Sequence, residues 1–166
     1  MENQAFTQTE EQIIEGGKFL TFFLDREEYA IEILKVMEII GLMSITPVPS
    51  MPGYIRGILN LRGKIIPVMD IRSRFGLPGV DDTAETCIIV LQQDQFQMGI
   101  VVDKVSEVAE LGDTEIDDIP SFGAGITNDY LAGIGKVENT VKLILDVSRV
   151  LFEAREVIPE SPEAAF

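Results

Sequence analysis

The side chains best suited to chemistry in this sequence are carboxylates that crowd one short stretch. Asp113, Glu115, Asp117 and Asp118 lie close together in the second half of the chain. Carboxylate oxygens are ligands for Ca²⁺, but a calcium-binding loop also needs a central glycine and a terminal glutamate, which this spacing lacks. We therefore interpret the stretch as a solvated acidic loop.

Other catalytic chemistry has little support in the sequence. There is no histidine, and the lone cysteine, Cys87, has no basic residue beside it in the sequence that would activate a thiolate. The glycines at 123 and 125 lack the lysine and the helix start of a phosphate-binding loop. The sequence predicts a protein that is not an enzyme and that uses no cofactor, nucleotide or metal.

The most informative polar residue is Arg62, in the segment Asn60-Leu61-Arg62-Gly63. Asparagine and glycine favour a tight turn, and the apolar run that follows at 65–71 favours a strand. Pro67 cannot donate to a sheet ladder, so we expect this strand to be an edge strand or to be bulged there. Arg62 stands at the corner, where its guanidinium either is merely solvated or faces a partner.

The charge is large and uneven. The net charge of −15 argues against nucleic acid or an anionic membrane as a partner, since both need a cationic surface. Residues 51–74 nevertheless carry one acid against five bases, which are Arg56, Arg62, Lys64, Arg72 and Arg74. This basic island predicts either a docking face or basic side chains scattered over several faces of the fold.

The sequence predicts a soluble, cytoplasmic protein. The first residues carry no basic start and no hydrophobic stretch typical of a signal peptide. No apolar run approaches the roughly 20 residues needed to span a bilayer. The single cysteine can form no internal disulfide and is expected to be a core residue in a reducing compartment.

An internal duplication positions these residues. At an offset of 69, residues 30–33 match 99–102 and residues 35–39 match 104–108. At an offset of 76, the pattern Tyr54-x-x-Gly57-Ile58 recurs as Tyr130-x-x-Gly133-Ile134, and Asp70-Ile71 recurs as Asp146-Val147. Four matches in the same order indicate a repeated unit. The copies are not equivalent, because the counterpart of Arg62 is Glu138.

Both copies consist of short strands joined by turns, which favours a mainly β fold of two small closed barrels over one open sheet. We expect an acidic tail at 1–17, copies at 18–80 and 86–156, and a second tail at 157–166. The linker at 77–85 is the internal boundary, and residues 120–125 are interpreted as loop. Val147, Val150, Leu151 and Ala154 have helical spacing and predict a C-terminal amphipathic helix that covers a barrel end.

Three blocks of the sequence, at 29–39, 57–70 and 99–105, closely resemble the CheW family of chemotaxis coupling proteins. The resemblance runs from about Lys18 to Glu156. The motif Asn-Leu-Arg-Gly-x-Ile-x-Pro-x-x-Asp at 60–70 makes it specific, because both flanking blocks are also present. The resemblance implies two pseudo-symmetric five-stranded SH3-like or OB-like barrels with strands exchanged between the halves.

The resemblance also implies a function. Family members are adaptors that link the cytoplasmic tip of methyl-accepting chemoreceptors to the histidine kinase CheA, in arrays associated with the membrane. The positions matching residues tied to receptor coupling are Val36, Glu38, Gly57, Arg62, Gly99 and Val105. Gly133 matches a sensitive position of no assigned partner, and the kinase-binding surface is left unknown.

Several alternatives stay open at this point. The same module occurs as the regulatory domain of CheA and in CheV-type adaptors, although a free-standing coupler fits this chain best. A coupler of a paralogous array or of a pilus-motility system, or a regulatory fragment of a larger signalling protein, would carry the same motifs. Val36 and Val105 either line two sides of one receptor groove or face their own barrel cores. Arg62 and Glu38 pair either with each other or with receptor charges.

Overall fold

The computed structural model describes residues 15–119 and 127–157, and these residues form mainly β structure. The predicted loop at 120–125 and most of both predicted tails lie outside the described residues. The elements are β1 Gly17–Leu24, β2 Glu27–Glu32, β3 Val36–Gly41, β4 Ile55–Leu61, β5 Lys64–Asp70, α1 Ile71–Arg74, β6 Cys87–Gln93, β7 Phe96–Val102, β8 Lys104–Leu111, β9 Ile116–Asp117, β10 Leu131–Val137, β11 Thr140–Leu145 and α2 Val147–Val157. No helix among the described residues is long and apolar enough to cross a membrane.

Two-residue turns set the hairpins of the fold. Each begins with a left-handed residue, and the four are Asp25, Arg62, Asp94 and Glu138, with φ between 54° and 58°. Such turns match the twist of the strands that they join. Asp25 and Asp94 are counterparts in the duplication, and so are Arg62 and Glu138, which means that the repeat extends to turn geometry.

The strands form two sheets. One has six strands in the order β8-β1-β2-β11-β10-β9, and the other has five in the order β3-β6-β7-β5-β4. The hairpin β1–β2 from the first copy therefore joins strands of the second copy, and the hairpin β6–β7 joins strands of the first. Strand exchange is thus present in the topology. The sixth strand, β9, corresponds to a single bridge between Thr46 and Ile58 in the other sheet.

The strand register supports the duplication residue by residue. Val36 pairs with Leu91, and its counterpart Val105 pairs with Phe22, the counterpart of Leu91. The two parallel contacts also correspond, because Val68 pairs with Gly99 just as Ile144 pairs with Ala30. The two sheets are therefore built on one plan.

Apolar side chains from both sheets and both helices form one large core. Its members include Phe22, Ile31, Met69, Ile89, Ile100 and Leu151. Each sheet also has a smaller cluster of its own, around Val68 and Ile88 in one and around Phe19 and Ile144 in the other. Burial on both faces of the strands is compatible with the predicted barrels.

The helices end the two copies in the same way. Asp70 accepts a hydrogen bond from Arg72 N at the start of α1, and Asp146 accepts one from Arg149 N at the start of α2. The stripe predicted for the C-terminal helix is buried, as expected for packing against the core.

The prediction that the strand of Pro67 is an edge strand, or is bulged at Pro67, was wrong. β5 is an interior strand, between β7 and β4, and its pairing with β4 shifts register near Gly57 and not at Pro67. Pro67 is tolerated because β5 pairs with β7 only from Val68 onward, so the missing N–H breaks no bond on that side.

Candidate functional site

The Arg62 corner is a short, well-defined turn between β4 and β5. Arg62 and Gly63 both have positive φ, at 54° and 86°, as type I′ hairpin turns require. The Asn60 side-chain oxygen accepts a hydrogen bond from Gly63 N at 2.7 Å and fixes the loop. The Arg62 side chain is 69% exposed, so the turn presents it to solvent.

Arg62 is held by Glu38 of β3. Arg62 Nη1 donates to Glu38 Oε1 over 3.1 Å, and Nη2 donates to Oε2 over 2.8 Å. These hydrogen bonds hold the pKa of the Glu38 carboxyl below its usual value, and Glu38 in turn raises the pKa of Arg62. A two-point contact fixes the plane of the guanidinium as well as its position. The structure thus joins two of the predicted site residues.

Glu38 lies on an edge strand whose outer side chains are apolar. β3 ends the five-stranded sheet, and its pairing with β6 has a bulge between Val36 and Glu38. Met37 and Ile39 are exposed, and Leu34 just before the strand is 94% exposed. The exposed row could not be predicted from the sequence, because residues 36–40 are apolar on both sides of Glu38 and show no period-2 alternation.

Val36 and Val105 occupy equivalent places in different sheets. Both are half-buried, and both pack against the large core. Their side chains therefore contact the common core, and the described contacts do not place them on two walls of an open groove. A receptor role for either valine stays a prediction. In it, the half-buried side chain would act by supporting the exposed residues beside it.

The glycines of the predicted site shape the backbone. A Cβ at Gly57, where φ is 152°, would collide with the carbonyl oxygen of Thr46. A Cβ at Gly99 would lie 2.7 Å from Ile88 Cγ2 in the middle of the sheet, and one at Gly133 would lie 3.2 Å from Asp117 O. These positions allow close approach of neighbouring segments and bring no side chain to a surface.

The basic island does not form one exposed cationic face. Arg56 pairs with Asp70 and Asp82, and Arg72 is buried beside Asp25 and Asp103. The guanidinium of Arg74 lies between the Tyr54 and Tyr130 rings, 4.6 and 4.8 Å from their centroids. Only Arg62, which pairs with Glu38, and Lys64 are exposed among the five bases. Adjacency in the sequence could not reveal these partners.

The side chains of Asp113, Glu115 and Asp117 make contacts within the protein. The Asp113 side chain accepts a hydrogen bond from Gly16 N, Glu115 accepts one from Gly112 N, and Asp117 pairs with Lys136. Among residues 15–119 and 127–157, no three potential ligand side chains cluster in a way that could hold a metal ion. The described carboxylates therefore act as links between segments.

The thiol of Cys87 is a poor nucleophile in its surroundings. Burial raises its pKa, and a hydrogen bond from the Val105 backbone opposes the rise only in part. The thiolate is the reactive form, so a raised pKa reduces the reactivity of the group. The contact with Val105 links β6 of one sheet with β8 of the other.

Comparison with known proteins gives consistent similarities. The model of the family described as "CheW-like domain" matches residues 18–155. The chain is 40% identical over 136 residues to the chemotaxis protein CheW of Klebsiella aerogenes, covering 82% of each chain, and 34% identical over 140 residues to that of Bacillus subtilis, covering 84% and 90%. The crystal structure of the scaffolding protein TtCheW from Thermoanaerobacter tengcongensis superposes with a TM-score of 0.74 at 34% identity, over 79% of this chain and 89% of that one. The chain belongs to the CheW-like domain family.

Proposed function

We propose that this protein is a non-catalytic adaptor that couples the cytoplasmic tips of chemoreceptors to the histidine kinase CheA at membrane-associated arrays. Membership of the CheW-like family supports a scaffold in chemotaxis. The single observation that carries the residue-level proposal is the two-point contact of the exposed Arg62 with Glu38. Val36, Gly57, Gly99 and Val105 belong to the proposed receptor-coupling set with this pair.

The Arg62–Glu38 pair suits a helical partner. A guanidinium has five N–H donors, and the contact with Glu38 uses one from each terminal nitrogen, so Nε–H and the remaining terminal hydrogens stay free for receptor oxygens. Met37, next to Glu38 in the sequence, is exposed and supplies apolar area, whereas Ile39 faces the other side of β3 from Glu38. Apolar area with fixed polar contacts beside it is the usual surface for an amphipathic helix.

Glu38 has a positioning role in this proposal. An exposed pair of this kind contributes little to folding, because solvent screens the two charges. Its main effect is to reduce the number of conformations that Arg62 must lose when a partner binds. Preorganisation of this kind increases affinity without any new contact.

The test is reconstitution with receptor fragments and the kinase. The measurements are the affinity for a soluble fragment of the receptor tip, kinase autophosphorylation in receptor membranes, and the thermal midpoint. We expect Arg62→Ala to weaken receptor affinity about tenfold to a hundredfold, as loss of a hydrogen bond to a charged group predicts. Its thermal midpoint should stay near that of the unaltered protein, since surface changes usually shift stability within about ±0.5 kcal/mol.

Lys64→Ala is the matched control, because it removes an exposed base from the same turn. Wild-type affinity in Arg62→Ala, or a loss explained by unfolding, would contradict the assignment of Arg62. Equal losses from both variants would mean that net charge carries the coupling. Failure of the unaltered protein to bind any receptor tip of its organism would contradict the adaptor function itself.

A further inference from the structure

The buried side chain of Arg72 makes several polar contacts. Its side chain is 7% exposed, and its Nη1 donates to Asp25 at 2.8 Å and to Asp103 at 2.7 Å. Its Nε donates to the carbonyl oxygen of Pro78 at 2.8 Å. One side chain in α1 therefore holds three separate segments, none of which the proposed receptor contacts use.

Asp103 lies where the chain passes between the sheets. It is the single residue between β7, in the five-stranded sheet, and β8, in the six-stranded sheet. Its Oδ2 accepts from Arg72 and also from the backbone N–H of Asp25, the left-handed residue of the β1–β2 turn. The start of β8 is therefore fastened both to α1 and to the tip of the neighbouring hairpin.

The duplication repeats part of this arrangement. Asp94 is the counterpart of Asp25 at the tip of the β6–β7 hairpin, and Arg155 of α2 approaches it at 3.5 Å. Each exchanged hairpin is thus tied back to the helix that ends its own copy. The Arg155 contact is longer and more exposed, whereas Arg72 is buried and also binds the crossing residue.

The hydrogen bonds of Arg72 supply something that the large apolar core does not, which is a fixed direction. Apolar burial holds the two sheets together, but it has no directional preference. A guanidinium has fixed donor directions, so it specifies where its acceptors must lie. The segment that it specifies continues directly into Val105, two residues after Asp103.

We propose that Arg72, acting through Asp103, is a positioning residue that fixes the start of β8 relative to the five-stranded sheet. In this way it sets where Val105 lies with respect to Arg62 and Glu38, which are on the other sheet. The consequence for binding rests on the receptor-coupling function proposed above, whereas the consequence for geometry does not.

The geometric test uses spin-label distances in the full chain. Labels at Lys64→Cys and Ser106→Cys, both exposed, report the position of β8 against the five-stranded sheet. The background is Cys87→Ser, which keeps an acceptor for the Val105 backbone. We expect Asp103→Asn and Arg72→Lys to broaden this distance distribution. A second label pair, at Lys64→Cys and Gln95→Cys within the five-stranded sheet, should be unchanged.

The functional test measures receptor-fragment affinity on the unlabelled variants at a temperature where all are folded. We expect Asp103→Asn to weaken affinity roughly 2- to 100-fold, the range seen for residues coupled in one network. Arg72→Lys, which keeps a charge but not the fork, should fall between Asp103→Asn and the unaltered protein.

Three results would overturn the inference. Unchanged inter-sheet distances in folded Asp103→Asn and Arg72→Lys would show that the core alone fixes β8. Broadening of both label pairs would indicate general loosening. A broadened inter-sheet distance with unaltered affinity would refute the link to binding. If the unaltered protein binds no receptor fragment, the adaptor function fails, and the distances still decide whether Arg72 positions β8.

Discussion

At the scale of single residues, Arg62 adopts an unfavourable backbone conformation. Its φ of 54° is a left-handed conformation that costs a residue with a side chain about 1–2 kcal/mol. Glycine or asparagine would fill this turn position at lower cost. Asp25, Asp94 and Glu138 share this conformation, so it belongs to the hairpin turns; what distinguishes Arg62 is an exposed basic side chain that no buried contact needs.

The carboxyl of Glu38 provides a residue-scale prediction about pH. Its pKa in the folded protein lies below the ordinary value because Arg62 donates hydrogen bonds to it. A depressed pKa means that the favourable contact is fully present above the unfolded-state pKa and is lost as pH falls through the folded-state pKa. We expect the Arg62–Glu38 contact to persist through neutral pH and to break only in acid.

The measurement is an NMR titration of the Glu38 side-chain carboxyl in the intact protein. Arg62→Ala should raise the pKa of Glu38 toward its usual value, whereas Lys64→Ala should leave it unchanged. If removing Arg62 did not move the titration, the paired geometry would not persist in solution, and Glu38 could not orient Arg62.

At the scale of elements, the sequence predicted where a strand lies better than it predicted which residues surround it. The turn at Asn60-Leu61-Arg62-Gly63 and the apolar run after it predicted the strand that is β5, because turn residues and apolar runs are local signals. The exposed side of β3 was missed, since an edge strand with apolar outer residues resembles a buried one. Burial of Arg72 was also hidden, because its partners Asp25 and Asp103 are 47 and 31 residues away.

The bulge in β4 provides an element-scale prediction. Gly57→Ala should destabilise the fold by about 2–3 kcal/mol, because it combines a strained φ with a collision against the Thr46 carbonyl. The collision involves backbone, which cannot move without breaking the Thr46–Ile58 bridge. Chemical denaturation measures the change, and a weakened receptor affinity in this variant should recover as temperature is lowered.

Substitutions at two other glycines serve as controls for the Gly57→Ala measurement. Gly53→Ala places a Cβ in open space and should stay within about ±0.5 kcal/mol of the unaltered protein. Gly99→Ala meets the Ile88 methyl group, which can partly give way, so about 1–3 kcal/mol is expected. A neutral Gly57→Ala would mean that the bulge relaxes freely and that sensitivity at this position reflects partner contact.

At the scale of the whole molecule, the duplication was visible in the sequence but the sharing of strands was not derivable from it. Offsets of 69 and 76 identify equivalent residues, and both offsets hold in the strand register. Periodicity does not say which sheet receives a hairpin, and the exchange was expected only through family resemblance. The choice is made by the common core, to which both copies contribute.

Shared strands make a last prediction about the copies at 18–80 and 86–156. Each sheet takes strands from both copies, and the large core draws buried side chains from both. A copy expressed alone would lose the hairpin that completes its own sheet, and it would expose the apolar strands β1 and β2 or β6 and β7. We expect neither copy alone to give the dispersed amide NMR spectrum of a folded protein.

Mixing the two copies should restore the fold, since the strand partners are then present and the chain is interrupted between the copies only at residues 81–85 of the linker. The restored complex should bind the receptor fragment, with affinity reduced by Arg62→Ala in the first copy. A dispersed spectrum from either copy alone would show that a sheet can close without the exchanged hairpin. The two halves would then be independent domains. The contacts of Arg72 with Asp25 and Asp103 would then join two domains that fold separately.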